Sequence, residues 1–338
     1  MDLIYVRTDG DGITTSGFLT NYEATFDVST DLDYVTNKFE ITTALPTSKE
    51  GLLWAENEIS TIIYVEGTEY GGLISGSEIS IADNTIKYTG RTWRGCLDQW
   101  IIEPPAGQDY LVVSGNLAES LRLLPMGEFI SVSDTPYVGG TYQFNRYIKT
   151  FEGATNLLTA AQSNLRMAFR FVSDGESGTA WLDVVEARDM RNTVEVSQDY
   201  NDKIQLTITR DGNTPRELIC LGSGELKDRQ VLKLYADSDW NVSTTPIAGA
   251  YPVEVYDFSS SEDLAADGRK HFLELIHNHE QIEVTISDLD IRLSDIIGAK
   301  DILTGETVSA EITSIIWRCT NYGDYQVENY EYKTRVLM

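Results

Sequence analysis

The three histidines of the chain fall within nine residues, at His271, His277 and His279. Imidazoles grouped in this way suggest zinc, and His277 and His279 share a face if their segment is extended. His271 precedes His277 by six residues, which is not a same-face spacing on a helix. The string also lies at a predicted helix end, where histidines interact favourably with the negative pole of the helix. The spacing therefore favours a structural role, and the sequence predicts no metal site here.

Two acidic strings carry the oxygen ligands that calcium prefers, Asp9-Gly10-Asp11-Gly12 and Asp288-Leu289-Asp290. Neither continues into a twelve-position loop that ends on a bidentate glutamate, as an EF-hand does. Asp-Gly pairs are also typical turn formers, because glycine accepts a positive φ and aspartate hydrogen-bonds its own backbone. The first string therefore predicts a turn, and weak calcium binding stays open as an alternative.

The three cysteines, Cys96, Cys220 and Cys319, lie far apart and none belongs to a Cys-x-x-Cys pair. Each lies in or beside an apolar run, where a free cysteine behaves as a small apolar residue. None has the basic, helix-start surroundings that lower the pKa of a thiol. We expect buried thiols, in a protein that is made and folded in a reducing cytoplasm.

No other string reaches the pattern of a catalytic or cofactor site. Gly222-Ser223-Gly224-Glu225 resembles part of a phosphate loop, but it lacks the Lys-Ser/Thr ending and its surroundings are acidic. The chain contains no Gly-x-Ser-x-Gly and no His-Glu-x-x-His motif. The sequence therefore predicts no catalytic, cofactor-binding or metal-binding residue, no cofactor, and a protein that is not an enzyme.

Tryptophans offer a different chemistry, because exposed aromatic rings beside Asp and Asn can stack on sugars. The six tryptophans are spread along the chain, at 54, 93, 100, 181, 240 and 317. That spread is more typical of core and interface anchors than of one binding platform. Sugar binding stays open as an alternative.

The charge balance excludes several classes of ligand. The chain has 26 Lys and Arg residues against 53 Asp and Glu residues, a net charge of -27. Such a field repels nucleic acid and anionic lipid, so free DNA is not expected as a specific ligand. No leader-like segment opens the sequence and no apolar run approaches the roughly 20 residues of a membrane helix. We expect no membrane insertion.

Length and patterning predict several domains that are mainly β with some α. With 338 residues and 41% hydrophobic residues the chain is long enough for two or three cores. Residues 1–103 are strand-like: Glu78-Ile79-Ser80-Ile81 and residues 85–89 alternate as half-buried strands do, and Ala82-Asp83-Asn84 predicts the hairpin turn between them. Residues 61–65 predict another strand, and Gly71-Gly72 predicts a break before the next.

Residues 104–190 form a mixed zone. Residues 117–121 predict a short helix that ends near Pro125. A second helix is predicted by an apolar stripe at Ala154, Leu157, Leu158, Ala161 and Leu165. Two strands, 167–171 and 180–185, are predicted to follow, with the turn at 174–178.

Residues 191–338 return to strands, with one helix. Strands are predicted at 203–210, 216–221, 281–286, 311–317 and 325–336. The helix is predicted at about 261–277, capped by Ser260 or Ser261. Its apolar face comprises Leu264, Gly268, Phe272, Leu275 and Ile276.

Four strings, in order along the chain, resemble those of siphovirus-type phage tail hub proteins. Gly90-Arg91-Thr92-Trp93-Arg94-Gly95-Cys96-Leu97-Asp98, ahead of Pro104-Pro105, resembles the end of their first domain, although Gln99-Trp100 stands where Arg is usual. Residues 221–229 are similar to their Gly-x-Gly-Glu-x-x-x-Arg stretch, and the helix 263–276 to their Leu-x-x-x-Gly helix. Residues 293–297 stand where the family has Leu-Gly-Asp-x-Val, with Ser294 in place of the glycine.

The resemblance implies a fold and a function. It implies two tail-tube-like β-barrel or sandwich domains, 1–103 and 191–338, separated by a mixed α/β domain, 104–190. It implies a structural baseplate hub of the tail tip, in which three subunits form a pseudo-sixfold ring that gates the DNA channel. The implied partners are the distal tail protein, the tail tube, the tape measure protein and a fibre, spike or receptor-binding protein. DNA would pass through the ring without specific binding, in a virion assembled in the bacterial host.

Two other functions remain as alternatives. A tail-associated cell-wall hydrolase would need two carboxylates in a cleft, roughly 5 to 10 Å apart. A carbohydrate-binding receptor module would need exposed aromatic side chains. The acidic excess could also line the channel of a hub, where a negative wall would repel DNA.

Overall fold

The computed structural model describes residues 1–338 except 10, 13, 32–35, 174–177, 192–194, 197–203, 211, 250, 260, 262, 278–279, 287–290, 301–306 and 338; for 195–196, 204–210, 277, 280–286, 299–300, 307–308 and 336 it describes the backbone alone. The described part of the chain is mainly β with some α, as the sequence predicts. None of the sheets in the described part closes on itself.

The strands and helices have the following bounds. The strands are β1 (Ile4–Asp9), β2 (Thr14–Phe18), β3 (Tyr22–Ser29), β4 (Lys38–Ala44), β5 (Ile59–Tyr64), β6 (Gly71–Ser80), β7 (Thr85–Thr92), β8 (Ile101–Ile102), β9 (Val112–Asn116), β10 (Ile130–Val132), β11 (Val138–Gln143), β12 (Ile148–Lys149), β13 (Leu165–Ser173), β14 (Gly178–Glu186), β15 (Glu195–Val196), β16 (Ile204–Arg210), β17 (Glu217–Leu221), β18 (Val231–Ala236), β19 (Val242–Ser243), β20 (Val253–Asp257), β21 (Glu280–Ile286), β22 (Ile296–Lys300), β23 (Thr307–Asn321) and β24 (Gln326–Leu337). The α-helices are α1 (Trp93–Leu97), α2 (Leu117–Arg122), α3 (Thr150–Ala161) and α4 (Leu264–His277), and short 3-10 turns lie at Lys49–Gly51 and Leu226–Asp228.

The chain divides into two compact units. The first comprises Met1–Asp189, Ile286–Ile296 and Ile312–Tyr332, and the second comprises Met190–Thr285, Ile297–Glu311 and Lys333–Met338. The long strands β23 and β24 therefore contribute residues to both.

The first unit contains one large antiparallel sheet, in the order β24-β23-β3-β4-β7-β6-β5-β1-β2. Alternation along its strands turns one face into a core, as a half-buried strand requires. That core includes stacked Phe26 and Phe39, with ring centroids 5.0 Å apart, and buried Trp317. The opposite face carries polar residues such as Glu23, Thr25 and Glu40.

A second core of the first unit is built from the mixed zone. Antiparallel β13 and β14 pair over nine residues, with β10 parallel to β14. Helix α2 begins where the Asn116 carboxamide oxygen accepts the N–H groups of Ala118 and Glu119, at 2.9 and 3.3 Å. Helix α3 packs Ala154, Leu157 and Leu158 into this core. The predicted strands and both helices of residues 104–190 are confirmed.

The second unit contains a four-stranded sheet, β19-β18-β17-β20, in which β17 and β20 are parallel. Helix α4 covers one face with Phe272 and Ile276, which pack on Leu218 and Leu234. The same unit holds the pairings β16-β21-β24 and β15-β22-β23. The strands predicted from 203 onward are present.

Four sequence expectations need correction. Leu165 is not on the helical stripe, because α3 ends at Ala161 and Leu165 begins β13. Ser261 does not cap helix α4, because the Asp263 carboxylate accepts the N–H groups of Ala265 and Ala266, both at 3.1 Å. Ser260 lies outside the described residues.

The other two corrections concern the β6–β7 hairpin. Gly71 and Gly72 do not break a strand; they begin β6, where a Cβ on Gly72 would lie 1.9 Å from the Arg91 carbonyl oxygen of β7. Ile79 and Ile81 alternate as predicted, but both are exposed, because the hairpin extends past the core. The turn between the strands is confirmed at 81–84.

Candidate functional site

The residues that could carry chemistry do not converge in the described part of the chain. His271 packs against the rings of Tyr256 and Phe258, with centroids 4.0 and 5.8 Å away. Only the backbone of His277 is described, and His279 lies outside the described residues. Across the described ranges, no group of three or more His, Cys, Asp or Glu residues could hold a metal ion.

The first acidic string forms the predicted turn. The Asp11 N–H donates to the Asp9 carboxylate at 3.0 Å, and the Gly12 N–H donates to the Asp9 carbonyl at 3.0 Å. Gly12 has φ +79°, a conformation that favours glycine. Gly10 and the second string, Asp288 to Asp290, lie outside the described residues.

All three cysteines are free and buried, which confirms the prediction. Burial raises the pKa of the Cys96 thiol to about 12, and it raises the pKa values of Cys220 and Cys319 as well. Thiols of this kind are protonated at neutral pH, and the thiolate is the reactive form. Their burial and raised pKa values therefore do not suit nucleophilic catalysis.

The string from Gly90 to Asp98 contains two glycines at which the backbone packs closely against its neighbours. A Cβ on Gly90 would lie 2.2 Å from the Leu73 carbonyl oxygen and 2.3 Å from the Phe39 ring. A Cβ on Gly95 would lie 2.2 Å from the Asn37 carbonyl oxygen. The two glycines are therefore required by close approaches of the backbone, since no side chain fits there.

Arg94 of the same string joins the large sheet to β13. Its side chain is 4% exposed and forms a two-point ion pair with Glu69, at 3.0 and 2.8 Å. Arg94 also donates to the Met167 carbonyl at 2.5 Å, and Glu69 accepts the Phe169 N–H at 2.9 Å. The pair thus satisfies backbone groups along the edge of β13, which would otherwise lie exposed or unpaired.

The turn that carries Glu69 continues this edge contact. The Gly67 N–H donates to the Phe171 carbonyl at 3.0 Å, and the Ser173 N–H donates to the Glu66 carboxylate at 3.3 Å. Alternate backbone groups of β13 are therefore bonded by one short turn. Sequence reasoning missed Glu69, because no local pattern marks a partner that lies 25 residues from Arg94.

The Gly-x-Gly-Glu-x-x-x-Arg stretch closes on itself and is not a phosphate loop. Gly224 has φ +97°, and its Cβ would lie 2.6 Å from the Asp228 carbonyl oxygen. Arg229 donates to the Gly222 carbonyl at 3.0 Å and pairs with Asp257 of β20 at 2.7 Å. The hydrogen bond from the Arg229 side chain lowers the pKa of Asp257 to about 2, and the hydrogen bond from the Ser259 backbone N–H contributes less. The arginine ties the loop to the neighbouring strand.

Gly268 of the Leu-x-x-x-Gly helix lets α4 lie on the sheet of the second unit. A Cβ at this position would lie 2.6 Å from the sulfur of Cys220 on β17. Both residues are buried. The glycine is therefore a contact residue between helix and strand rather than a flexible point.

Ser294 stands where tail hub proteins have glycine, and its backbone explains why. Its φ is +70°, in the left-handed region that is unfavourable for a residue with a Cβ. The next residue, Asp295, is 2% exposed and accepts both Nε and an NH2 group of Arg188, at 2.9 and 2.5 Å. Asp295 also accepts the Arg292 N–H at 2.7 Å. The turn places this buried carboxylate within hydrogen-bonding distance of Arg188 and of the Arg292 N–H.

A cavity of about 520 Å³ lies in the first unit beside Glu69 and Asp295. The outer face of β13 and β14, the turn at 67–70 and the segment at 291–295 line it. Its charged side chains include Arg170, which pairs with Asp183 at 2.8 Å, and the Arg188–Asp295 pair. These carboxylates are bound to arginines, which is the setting of a structural ion pair rather than of a general acid.

Strand edges and exposed apolar side chains are the remaining surface features of the first unit. β2 ends the strand order of the large sheet and is exposed along its length, with Phe18 prominent. β6 pairs with β5 only from Gly71 to Leu73, so its outer half pairs with β7 alone. Open edges of this kind are surfaces on which other chains add strands.

No helix of the described part is long and apolar enough to span a membrane.

No protein-family model matches the sequence, and no curated protein matches it significantly. Solved structures do match. The 43 kDa tail protein of prophage MuSo2 from Shewanella oneidensis aligns with a TM-score of 0.59 at 14% identity, over 100% of this chain and 98% of that one. The tail protein from Neisseria meningitidis MC58 aligns with a TM-score of 0.54 at 12% identity, over 99% of this chain and 97% of that one.

A third match is the prophage tail protein gp18 from Listeria monocytogenes EGD-e. It aligns with a TM-score of 0.52 at 12% identity, over 99% of this chain and 94% of that one. At these identities the likeness shows the fold, and the chain has the fold of phage tail proteins. This confirms the resemblance that the four strings predict. All three of these matched proteins are tail proteins.

Proposed function

We propose that this chain is a structural hub protein of the tail tip of a phage or phage-like particle. The observation that carries the proposal is the full-length likeness to tail proteins, which reaches a TM-score of 0.59 over 100% of the chain. The packing of the family strings supports it, because Gly90, Arg94 and Gly268 make buried contacts that hold the fold together. The buried free cysteines fit synthesis in the reducing cytoplasm of the bacterial host.

In this proposal three copies form a ring that joins the sixfold tail tube and distal tail ring to a threefold fibre or spike. Residues 1–103 and 191–338 act as two tail-tube-like domains, so that three chains provide six similar modules, and residues 104–190 separate them. The open edges of β2 and β6 support ring formation, because neighbouring subunits would cover them. The distal tail protein, the tape measure protein and a receptor-binding protein are the partners we expect.

We assign the channel wall to the polar face of the large sheet. On this face Glu23, Thr42, Lys87 and Glu78 lie in one cross-strand row. Lys87 lies between two carboxylates, 3.3 Å from Glu78 and 4.0 Å from Glu40. A wall of threonines and an excess of carboxylates would repel DNA and let it slide, so the ring would gate passage without specific binding.

The mass of the purified protein tests the ring. We expect about three times the 37.8 kDa of one chain by light scattering during size-exclusion chromatography. The position of the labelled chain in electron micrographs of the particle tests the location. A strict monomer that lies away from the tail axis would contradict the proposal.

A further inference from the structure

Two turns of the first unit lie at one end of its large sheet. Tyr22 of β3 pairs with Asn321 of β23 on one side and with Thr43 of β4 on the other, and Ala44 of β4 pairs with Thr85 of β7. The turns at 322–325 and at 81–84 therefore lie at the same end of the sheet. We call this end the rim; it comprises Asn21, Leu45 and these two turns.

Hydrogen bonds connect the parts of the rim. The Asn21 N–H donates to the Asn321 carboxamide oxygen at 3.2 Å, and the Thr43 hydroxyl donates to the Asn21 carbonyl at 3.3 Å. The Leu45 N–H donates to the Asn84 carbonyl at 3.0 Å. Strands β23 and β7 are three positions apart in the sheet, so the nearer strands of the two hairpins are separated by roughly 14 Å. The rim is a continuous, ordered surface.

The rim exposes large apolar side chains at both turns. Ile81 is 85% exposed and Ile79 lies beside it on β6. Tyr322 and Tyr325 are 53% and 62% exposed and stack with centroids 4.7 Å apart, and Val327 follows on β24. Single exposed apolar residues are ordinary, but five of them on and beside the two turns at one sheet end are typical of an interaction surface.

The charges of the rim are acidic. Asp83 occupies the first turn, where it accepts the Ser80 hydroxyl at 2.6 Å, and exposed Asp324 occupies the second. A second copy docked rim to rim would oppose these carboxylates to themselves, which costs affinity. A neutral or basic surface meets no such repulsion, and a basic one gains attraction from a chain of net charge -27.

We propose that the rim docks a different protein, one that presents apolar pockets flanked by lysine or arginine. The isoleucines and the stacked tyrosines fill the pockets, and Asp83 and Asp324 face the basic side chains. The proposal rests on the proposed function, since it names the end of the hub at which a neighbouring tail component attaches.

Site-specific photo-crosslinking in assembled particles tests the docking. A benzophenone amino acid replaces Ile81, whose exposure leaves the fold undisturbed, and in a control it replaces Tyr110, which is exposed outside the rim. We expect irradiation to join the position of Ile81 to a second polypeptide, identified by mass spectrometry, and the position of Tyr110 to none. A product of this chain with itself, with a polysaccharide, or with nothing overturns the proposal.

Charge reversal tests the chemistry of the partner. The paired substitutions Asp83→Lys and Asp324→Lys should lower the yield of the adduct about tenfold, the change that corresponds to about 1.4 kcal/mol. Because both carboxylates are exposed, the reversed chain should keep its thermal midpoint. An undiminished yield would show that the partner is not basic. A trimeric, tail-borne chain that forms no such adduct refutes the rim alone, whereas absence from tails refutes the hub.

Discussion

Replacement of Arg94 by methionine removes the positive half of the buried pair that joins the large sheet to β13. The methionine fills much of the space, but Glu69 is left with a charge beside the backbone of Phe169 and without its partner. Breaking a buried pair from one side costs about 3–5 kcal/mol, because the remaining charge stays desolvated. For units of this size we expect the midpoint of thermal unfolding to fall by roughly 6 to 20 °C.

Two further variants separate the pair from its surroundings. Adding Glu69→Leu to Arg94→Met removes the unpaired carboxylate, so the double variant should be more stable than Arg94→Met alone. It should stay less stable than the unchanged protein by about 1–3 kcal/mol, because the Phe169 N–H loses its acceptor. Lys49→Met breaks an exposed pair with Glu58 and should leave the midpoint unchanged. Circular dichroism during heating measures all three. If Arg94→Met has no larger effect than Lys49→Met, the pair does not hold the joint.

Four other predictions follow from single residues. Ser294→Gly should stabilise the protein by about 1 kcal/mol, because it relieves a positive φ, and a lower urea midpoint would contradict this. Gly268→Ala should destabilise by about 1–2 kcal/mol despite the higher helix propensity of alanine, since its methyl group meets Cys220, and unchanged chemical denaturation would refute that contact. The Asp257 pKa is lowered from 3.8 to about 2, so its contribution to stability is present above pH 4 and is lost as the pH falls toward 2. In the Asp257→Asn variant the free energy of unfolding should fall less steeply as the pH is lowered from 4 to 2. An unchanged dependence of this free energy on pH would count against the Arg229 contact. Cys96 should stay unreactive toward a thiol reagent at pH 8 until the protein unfolds, and rapid labelling of the native protein would contradict its burial.

Much of the fold could be predicted from local periodicity. The β6–β7 hairpin, α2, α3 and the β13–β14 pair follow from alternation, helical stripes and turn residues, which depend on neighbours close in sequence. The α4 cap was predicted wrongly because several polar residues precede that helix, and sequence alone does not show which of them takes the capping geometry. The buried side of Ile79 and Ile81 was also wrong, since alternation does not show where a core ends.

The sequence indicated which residues make the buried contacts between distant segments, but it did not show what those contacts are. The family strings marked Gly90, Arg94, Gly268 and Asp295, yet their roles depend on backbone approaches and ion pairs between distant segments. Arg188 lies 107 residues before Asp295, so no spacing rule connects them. The departure at Ser294 became interpretable only through its positive φ.

A density map of the tail tip, averaged from electron micrographs of particles that carry this chain, would show whether the protein forms a trimeric ring on the tail axis. We expect three copies around the tail axis, between the tube and the tip structure, with the polar sheet face toward the channel. Density that places single copies away from the axis, or a tip ring built without this chain, would contradict it.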